Sequence, residues 1–546
     1  MDPASATLAA VGLLVAFKGA VDSYVMLTDV FASDPGLNYQ ALLYNIEQII
    51  LQTWGEKMKL SNTKECLINN QPPLIQDAVG RTMAEIVTTL DQAGEWVSKK
   101  YSIDPVDPKQ SQANTTTQAA NDFNATSPWI AKLKAQRLKL KHLQRFSWVA
   151  KDKKHFEEIN QKLATLNQKL NDLVGACNET RLVTAISDKL DSRLSLTTLS
   201  TGSNQESSTL LGLVGRLQSV QEEDVEAASA RVKSIPAECI QHLDNENQTR
   251  DIQRTLASYQ STTSLPETVL LEWKHIEARN QDQSQLIKRI RALGALLSTG
   301  NAQDFHRLDC LGIFDDKDYE KRFNGSRRIA LVYKLPRSRG LPHKPPSLLD
   351  VLKLAKKDRT RPPLGQRFEL AYQLASAISL FHAAKWIHKS FSSDCVVFPG
   401  LADSIANPAI VGFQYSRPVN DESLETTSGL VRSELHLYIH PSVEAGWTKT
   451  REIYSLGIVL LEIAYWRPVF EEKYRKMMAS EVAAALKGEV GGKFGQDLEG
   501  TVGEILMNAV RWCLSCPDEY TGSYAEAGLS TLFFQNVVEP LSTLKA

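Results

Sequence analysis

The chain has 546 residues, with 62 Lys and Arg against 63 Asp and Glu, a net charge of −1 and a sequence pI of about 6.8. That length is too great for one ordinary domain, and the near-neutral balance gives no bulk charge with which to hold nucleic acid. The seven cysteines are odd in number and scattered, which argues against a disulfide framework and for a reducing compartment.

The first feature in chain order is an apolar run at residues 4–17, ASATLAAVGLLVAF. It is shorter than the roughly 20 residues that span a bilayer. Asp2 is the only early charge, so the basic leader of a signal peptide is missing and a soluble resting protein is expected. Residues 4–32 are expected to form one helix, with Lys18 and Asp22 its first internal charges. Asp34, Pro35 and Gly36 break it. A second helix is expected over 37–60, where Leu42, Ile46, Ile49, Ile50 and Trp54 recur at three and four. A third is expected near 74–101, carrying Ile75, Val79, Met83, Ile86, Leu90 and Trp96. Residues 103–127 are rich in Asn, Thr, Gln and Pro and read as a loop.

Residues 129–154 hold nine Lys or Arg against one acid, Asp152, with Leu133, Leu138, Leu140, Leu143, Phe146 and Trp148 interleaved. The pattern suits a basic amphipathic helix that meets anionic lipid. It equally suits a helix with one face packed and the basic face solvated, and the residues leave both open. Phe156, Ile159, Leu163, Leu166, Leu170 and Leu173 then step by three and four. Residues 1–175 therefore read as an all-helical bundle. Residues 176–260 are helical in patches, with a Ser/Thr-rich break at 195–209. The expected division is a bundle at 1–230, a linker or brace at 231–264 and a second domain at 265–540.

Three stretches of the bundle carry a resemblance: AAVGLLVAFKGAVDSYVML, the QTWGE containing Trp54, Gly55 and Glu56, and WVAKDKKHFEEINQKLATLNQKLNDLV. Over about residues 1–230 they are similar to the HeLo (HET-S-like, prion-inhibition and propagation) domain of fungal incompatibility proteins. The resemblance implies a membrane-disrupting module. Leu8, Val11, Leu13, Leu14 and Phe17 would belong to the segment released into the bilayer. Lys132, Lys134, Arg137, Lys139, Lys141 and Arg145 would form the basic face that meets it.

From about residue 265 the pattern changes to short strands and helices. Residues 387–398, IHKSFSSDCVVF, follow an apolar-periodic run and end in strand-like residues. In outline they resemble the catalytic loop of a protein kinase, H-R-D-x-x-x-x-N. His388 and a basic Lys389 are kept, but Ser390 stands at the Asp position and Cys395 at the Asn position. Residues 409–418, AIVGFQYSRP, resemble the D-F-G strand, with Gly412, Phe413 and Gln414 in place of its three residues. TVLLEWK resembles the strand with the phosphate-binding lysine, placing Lys274 there. The following helix, expected at 279–299, has Gln281, Gln283 and Gln285 but no Glu. YIHPS resembles the A-P-E turn with Ser442 replacing Glu, and REIYSLGIVLLEIAYWRPVF matches the buried C-lobe helix with Glu452 replacing its Asp. No G-x-G-x-x-G precedes residue 268, and KGEVGGKFG at 487–495 reads as a surface loop. The C-x-x-C of Cys513 and Cys516 lacks a second pair and reads as turn-spaced helix cysteines.

The expected fold is thus multi-domain, an all-α helical bundle followed by a bilobal, kinase-like α+β domain. Its architecture is similar to that of the mixed-lineage-kinase-like necroptosis executioners. The resemblance implies a cell-death or heterokaryon-incompatibility effector whose bundle permeabilises membranes under a pseudokinase. No carboxylate stands at 390 or 412 for proton transfer or Mg²⁺, so no catalysis, metal or obligatory cofactor is expected; metal-free ATP binding through Lys274 stays open. The implied partners are further copies of itself, anionic membrane and an upstream signalling protein, with the chain cytoplasmic at rest and at the plasma membrane when active. An atypical active Ser/Thr kinase and a non-catalytic scaffold are the alternatives.

Overall fold

The computed structural model describes residues 3–100 apart from 33–34 and 63–64, and residues 150–243 apart from 176–177, 191–192, 202–208 and 223–224. It further describes residues 253–544 apart from 262–264, 277–282, 299–302, 304, 324, 337–342, 401–403, 414–415, 419–435, 442–446 and 521–527. The chain divides into two compact units, Met1–Leu199 and Ser200–Ala546.

The first unit is all helical. Helix α1 (Pro3–Phe31) is followed by α2 (Asn38–Lys57), α3 (Pro73–Lys100), α4 (Ala150–Val174) and α5 (Glu179–Lys189). The expected periodicities point inward: Leu42, Ile46, Ile49 and Trp54 of α2 and Val79, Met83, Ile86 and Leu90 of α3 are all buried. Aromatic rings tie the bundle at one level. Phe156 of α4 lies 4.7 Å from Phe31 of α1 and 5.0 Å from Trp96 of α3, and Phe31 lies 5.1 Å from Tyr44 of α2. Edge-on ring pairs of this kind add about 0.5–1.5 kcal/mol each beyond their buried area. Asn178 caps α5 by accepting from the Thr180 amide at 2.8 Å, and Lys189 on that helix reaches Glu56 of α2 at 2.6 Å.

The second unit begins with α6 (Leu210–Glu222) and α7 (Val225–Arg231). Strands β1 (Ile240–His242), β2 (Arg254–Tyr259) and β3 (Glu267–Ile276) follow, then α8 (Gln283–Leu297), β4 (Cys310–Asp315), α9 (Lys317–Arg322) and β5 (Arg327–Lys334). The five strands make one antiparallel sheet in the order β1-β2-β3-β5-β4. Alternation splits β3 cleanly. Val269, Leu271 and Trp273 face one apolar core with Ala257, Phe314, Ala330 and Val332, which leaves Leu270, Glu272 and Lys274 on the other face. Arg328 is wholly buried, its guanidinium 4.1 Å from the Trp273 ring and bonded to Asp316 at 2.5 Å.

Residues 200–231 fall in the second compact unit, and the stretch 231–264 supplies β1 and β2. The alternating segment 254–259 was too short to be recognised without its partner strand β3.

A helical half completes the unit: α10 (Leu348–Asp358), α11 (Leu364–Ala383), α12 (Lys449–Tyr465), α13 (Ala479–Gly491), α14 (Lys493–Val502), α15 (Glu504–Glu519) and α16 (Leu529–Phe533). Short two-residue strands lie between α11 and α12: β6 (Trp386–Ile387), β7 (Val396–Val397), β8 (Ala409–Ile410) and β9 (Arg417–Pro418). Helix α12 is buried along nearly its whole length, including its two acids Glu452 and Glu462. The expected surface loop at 487–495 is instead the junction of α13 and α14, where Gly492 ends one helix and caps the next. Cys513 and Cys516 are both buried on α15, and burial raises both thiols.

Candidate functional site

Two places in the chain gather the residues that the sequence singles out. The first is the N-terminal half of α1. The helix is continuous for 29 residues, so the apolar segment does not stop at residue 17. Val11–Phe31 is long and apolar enough, by length and composition, to cross a membrane, and 39% of its window is buried. The apolar run expected to be too short to span thus extends further by length and composition, through the two charges Lys18 and Asp22. Leu13 is buried, Leu14 and Phe17 are half-buried, and Val11 is exposed. The backbone of Leu8 is helical, and its side chain lies outside the described residues, as do Lys132, Lys134, Arg137, Lys139, Lys141 and Arg145.

Phe17 docks on the second helix at one point. A Cβ placed on Gly55 would lie 2.3 Å from the Phe17 ring, so the ring rests directly on the α2 backbone. Trp54, beside it, is buried in the bundle, and Glu56 binds Lys189. The QTWGE stretch therefore has a plain physical content: a core anchor, a seat for the α1 ring, and an ion pair to α5.

Elsewhere on α2 lies a buried acid that the sequence reading missed. Glu47 of α2 accepts from the Asn167 amide of α4 at 2.7 Å, and burial pushes its carboxyl up to about 7. Tyr24 of α1 lies near it, and burial raises this phenol too. An acid inside an otherwise apolar helical pattern was the available signal.

The second place is the loop 388–395 of the second unit, reached from α11 through β6. Glu452 of α12 pins it from below, accepting from the Lys389 amide at 2.9 Å and bonding His382 of α11 at 2.8 Å. Lys389 turns through φ +76 to present that amide. His388 Nε2 lies 2.8 Å from the Val411 carbonyl, and burial lowers its pKa, so it is a neutral ring that donates. Ser393 bonds the Tyr438 hydroxyl at 2.7 Å, and that hydroxyl donates to Glu462 at 2.8 Å. Burial pushes Glu462 up to about 7. Ser390 is half-buried, and Cys395 donates to its carbonyl at 3.2 Å. Burial pushes the Cys395 thiol up to about 12, too high for a thiolate nucleophile at neutral pH.

Gly412 closes the site. Its φ of +95 suits glycine, and an added Cβ would lie 2.7 Å from Cys395 Sγ. Phe413 is fully buried, 4.9 Å from His388; Gln414 and Ser442 lie outside the described residues. From the sheet side, Glu272 on β3 reaches across. One carboxylate oxygen accepts from the Gly412 amide at 2.5 Å; the other accepts from the Phe413 amide at 3.2 Å and the Tyr333 hydroxyl at 3.1 Å. Burial pushes this carboxyl up, against the pull of Arg254 and of those donors. Arg254 on β2 pairs with Asp394 of the loop and donates to its carbonyl at 2.8 Å. Lys274 is buried two residues beyond Glu272 on the same strand face, and the side chain that meets residues 412 and 413 is Glu272.

A magnesium-bound triphosphate needs free carboxylate for the metal and cation or N–H for the phosphates. Here the Glu272 carboxylate occupies the paired N–H groups and Asp394 is taken by Arg254. The residues do not fit that ligand. Among the described residues there is also no group of three or more His, Cys, Asp or Glu placed to hold a metal.

Residues 5–201 match the HeLo family, described as prion-inhibition and propagation, over the span of the first unit. That match makes the first unit a HeLo domain and points to a role related to fungal cell death or heterokaryon incompatibility. No curated protein matches the chain. Residues 243–544, from the sheet to the last helix, match the family described as Domain of unknown function (DUF7580). As this second match spans more than half of the 546 residues, the chain belongs to the DUF7580 family.

Proposed function

We propose that the chain is a regulated cell-death or incompatibility effector, in which the HeLo bundle permeabilises anionic membrane and the second unit, a kinase-like domain without phosphotransfer activity, restrains it. One observation carries the membrane half. Helix α1 combines spanning length and composition with partial cover, and Phe17 in its N-terminal half rests on Gly55 of α2. A single apolar helix binds a bilayer weakly, so several copies must act together. In this reading the chain is cytoplasmic at rest, reaches the plasma membrane when an upstream protein releases it, and assembles with itself there.

The restraint half is supported by the loop 388–395. Its backbone is fixed by a buried acid of a central helix, and it sits opposite a five-stranded antiparallel sheet. This is the arrangement a kinase-like reading requires. Its chemistry is absent, since Ser390 and Gly412 carry no carboxylate to accept a proton or bind a metal.

The test is dye release from anionic liposomes by residues 1–201 and by the full chain. The expected result is release by the fragment and silence from the full chain, with release abolished by Leu13→Glu with Leu14→Glu. A fragment that stays silent even when clustered would overturn the membrane reading and favour a scaffold. Phosphotransfer by the purified chain that is lost in Lys274→Met would overturn the inert-domain half.

A further inference from the structure

The contact between Glu272 and residues 412–413 is not explained by a kinase-like domain that has merely lost catalytic groups. Loss would leave an empty, solvated cleft. Instead an acid has been placed in it, and each of its oxygens is used. The Gly412 and Phe413 amides are consecutive N–H groups, and Gly412 turns through φ +95 to aim the first of them. Consecutive N–H groups in such a turn make an anion-binding concavity. The anion that fills it belongs to the chain itself.

We propose that Glu272 is the internal ligand of this cleft: its carboxylate fills the anion site of the Gly412 and Phe413 amides, holds the sheet to the helical half of the second unit, and excludes magnesium–nucleoside triphosphate. The proposal rests on the kinase-like reading of this unit and specifies what its cleft does. Three features converge on it. The paired amides are occupied, at 2.5 and 3.2 Å. The Tyr333 hydroxyl from β5 bonds the same carboxylate, so three elements meet at one group. Beside it, Arg254 and Asp394 join β2 to the loop, giving the sheet a second point of attachment of opposite polarity. A triphosphate entering here would meet a carboxylate where its own negative oxygens need donors. A metal would find Asp394 already paired with a guanidinium. Space agrees with charge, because Cys395 Sγ and the His388 ring crowd the Gly412 Cα from the other side.

Two measurements on the full chain test this. In the first, MgATP or a fluorescent ATP analogue is titrated to millimolar concentration while melting temperature and fluorescence are followed. No saturable change is expected; a saturable shift in wild type would overturn the proposal. In the second, amide exchange at 410–413 is compared in wild type, Glu272→Ala and Glu272→Gln, with the α12 amides as a control that the fold is kept. Glu272→Ala should speed exchange of the 412 and 413 amides by ~10-fold or more, the scale for losing a buried bond to a charged acceptor, and Glu272→Gln by less. Unchanged exchange in both variants would overturn it. If Glu272→Ala does not fold, the glutamine variant and the wild-type titration still decide. Liposome release tests the membrane reading and amide exchange tests the cleft, so either can fail while the other stands.

Discussion

The seat of Phe17 on Gly55 is open to a quantitative test. In Gly55→Ala the new methyl would stand 2.3 Å from the ring, well inside contact distance, so the ring has to leave its place. Full burial of a Phe side chain is worth about 1.5–3 kcal/mol, and Phe17 is half-buried, so its displacement costs roughly 1–1.5 kcal/mol. Replacing a glycine inside a helix by alanine returns about 0.5–1 kcal/mol, and Gly55 lies inside α2. The two terms nearly cancel in wild type. In a Phe17→Ala background the ring is gone, and the same substitution should stabilise by about 0.5–1 kcal/mol. The measurement is a double-mutant cycle on residues 1–201 by urea unfolding, with a coupling energy of roughly 1 kcal/mol expected. Amide exchange over 11–17 should rise in both single variants. An alanine that stabilises equally in the two backgrounds would refute the contact. In the full chain, Gly55→Ala should also lower the clustering needed for dye release, because it frees the end of α1 while leaving the bundle folded.

Three other substitutions probe the remaining sites. Burial raises the folded pKa of Glu47 to about 7, above the ordinary carboxylate range, so its contribution to stability is full below about pH 4.5 and is lost as pH rises through 7. Glu47→Gln keeps an acceptor for Asn167 and should remove up to about 3 kcal/mol of that loss at pH 8, with little change at pH 4; urea midpoints at the two pH values that differ equally would refute it. Gly412→Asp restores a kinase-type carboxylate in sequence, yet it must adopt φ +95 against Cys395, at a cost of about 2–5 kcal/mol. A lower melting temperature and no magnesium-dependent nucleotide binding are expected, and a variant as stable as wild type would refute the packing. Glu452→Ala leaves the Lys389 amide and His382 without their acceptor and should destabilise by about 3 kcal/mol or more, with exchange rising first at 387–395; unchanged exchange there would show that the loop is fixed by something else.

Much of the fold was legible because its signals are local. The steps of three and four in α2, α3 and α4 reappear as buried Ile46, Val79 and Leu163, since a helix shows its core face in its own spacing. The helix, loop and strand around His388 were legible because they follow one another in the chain. What escaped depended on partners distant in sequence. Strand β2 is six residues that become a strand only beside β3, and the two-residue strands β7 and β8 exist only as a pair. The α13–α14 junction was misread because its glycines suggested a loop, whereas Gly492 serves as the cap between two helices. At the candidate site, attention to a lysine drew the reading to Lys274. The strand also offers an acid two residues earlier, after Val269, Leu270 and Leu271, and alternation places both on one face. Sequence could show that pair; only the approach of residues 412 and 413 shows which of the two meets the turn.

That approach changes how the missing catalytic groups are understood. Each replacement looks like an independent loss in the sequence, yet in the structure they share one volume. Gly412 leaves room for Cys395, whose thiol is driven to its neutral form by the same burial that would penalise an aspartate there. An aspartate at 412 would direct its side chain at Cys395 and the His388 ring, where there is neither space nor a partner for its charge. Under the proposed kinase-like reading, a carboxylate at 412 works against its neighbours, and Gly412 and Cys395 stabilise the observed packing. Under the proposed restraint role, a domain built this way would keep its shape without nucleotide, hold until a partner acts on it and not loosen as nucleotide levels vary.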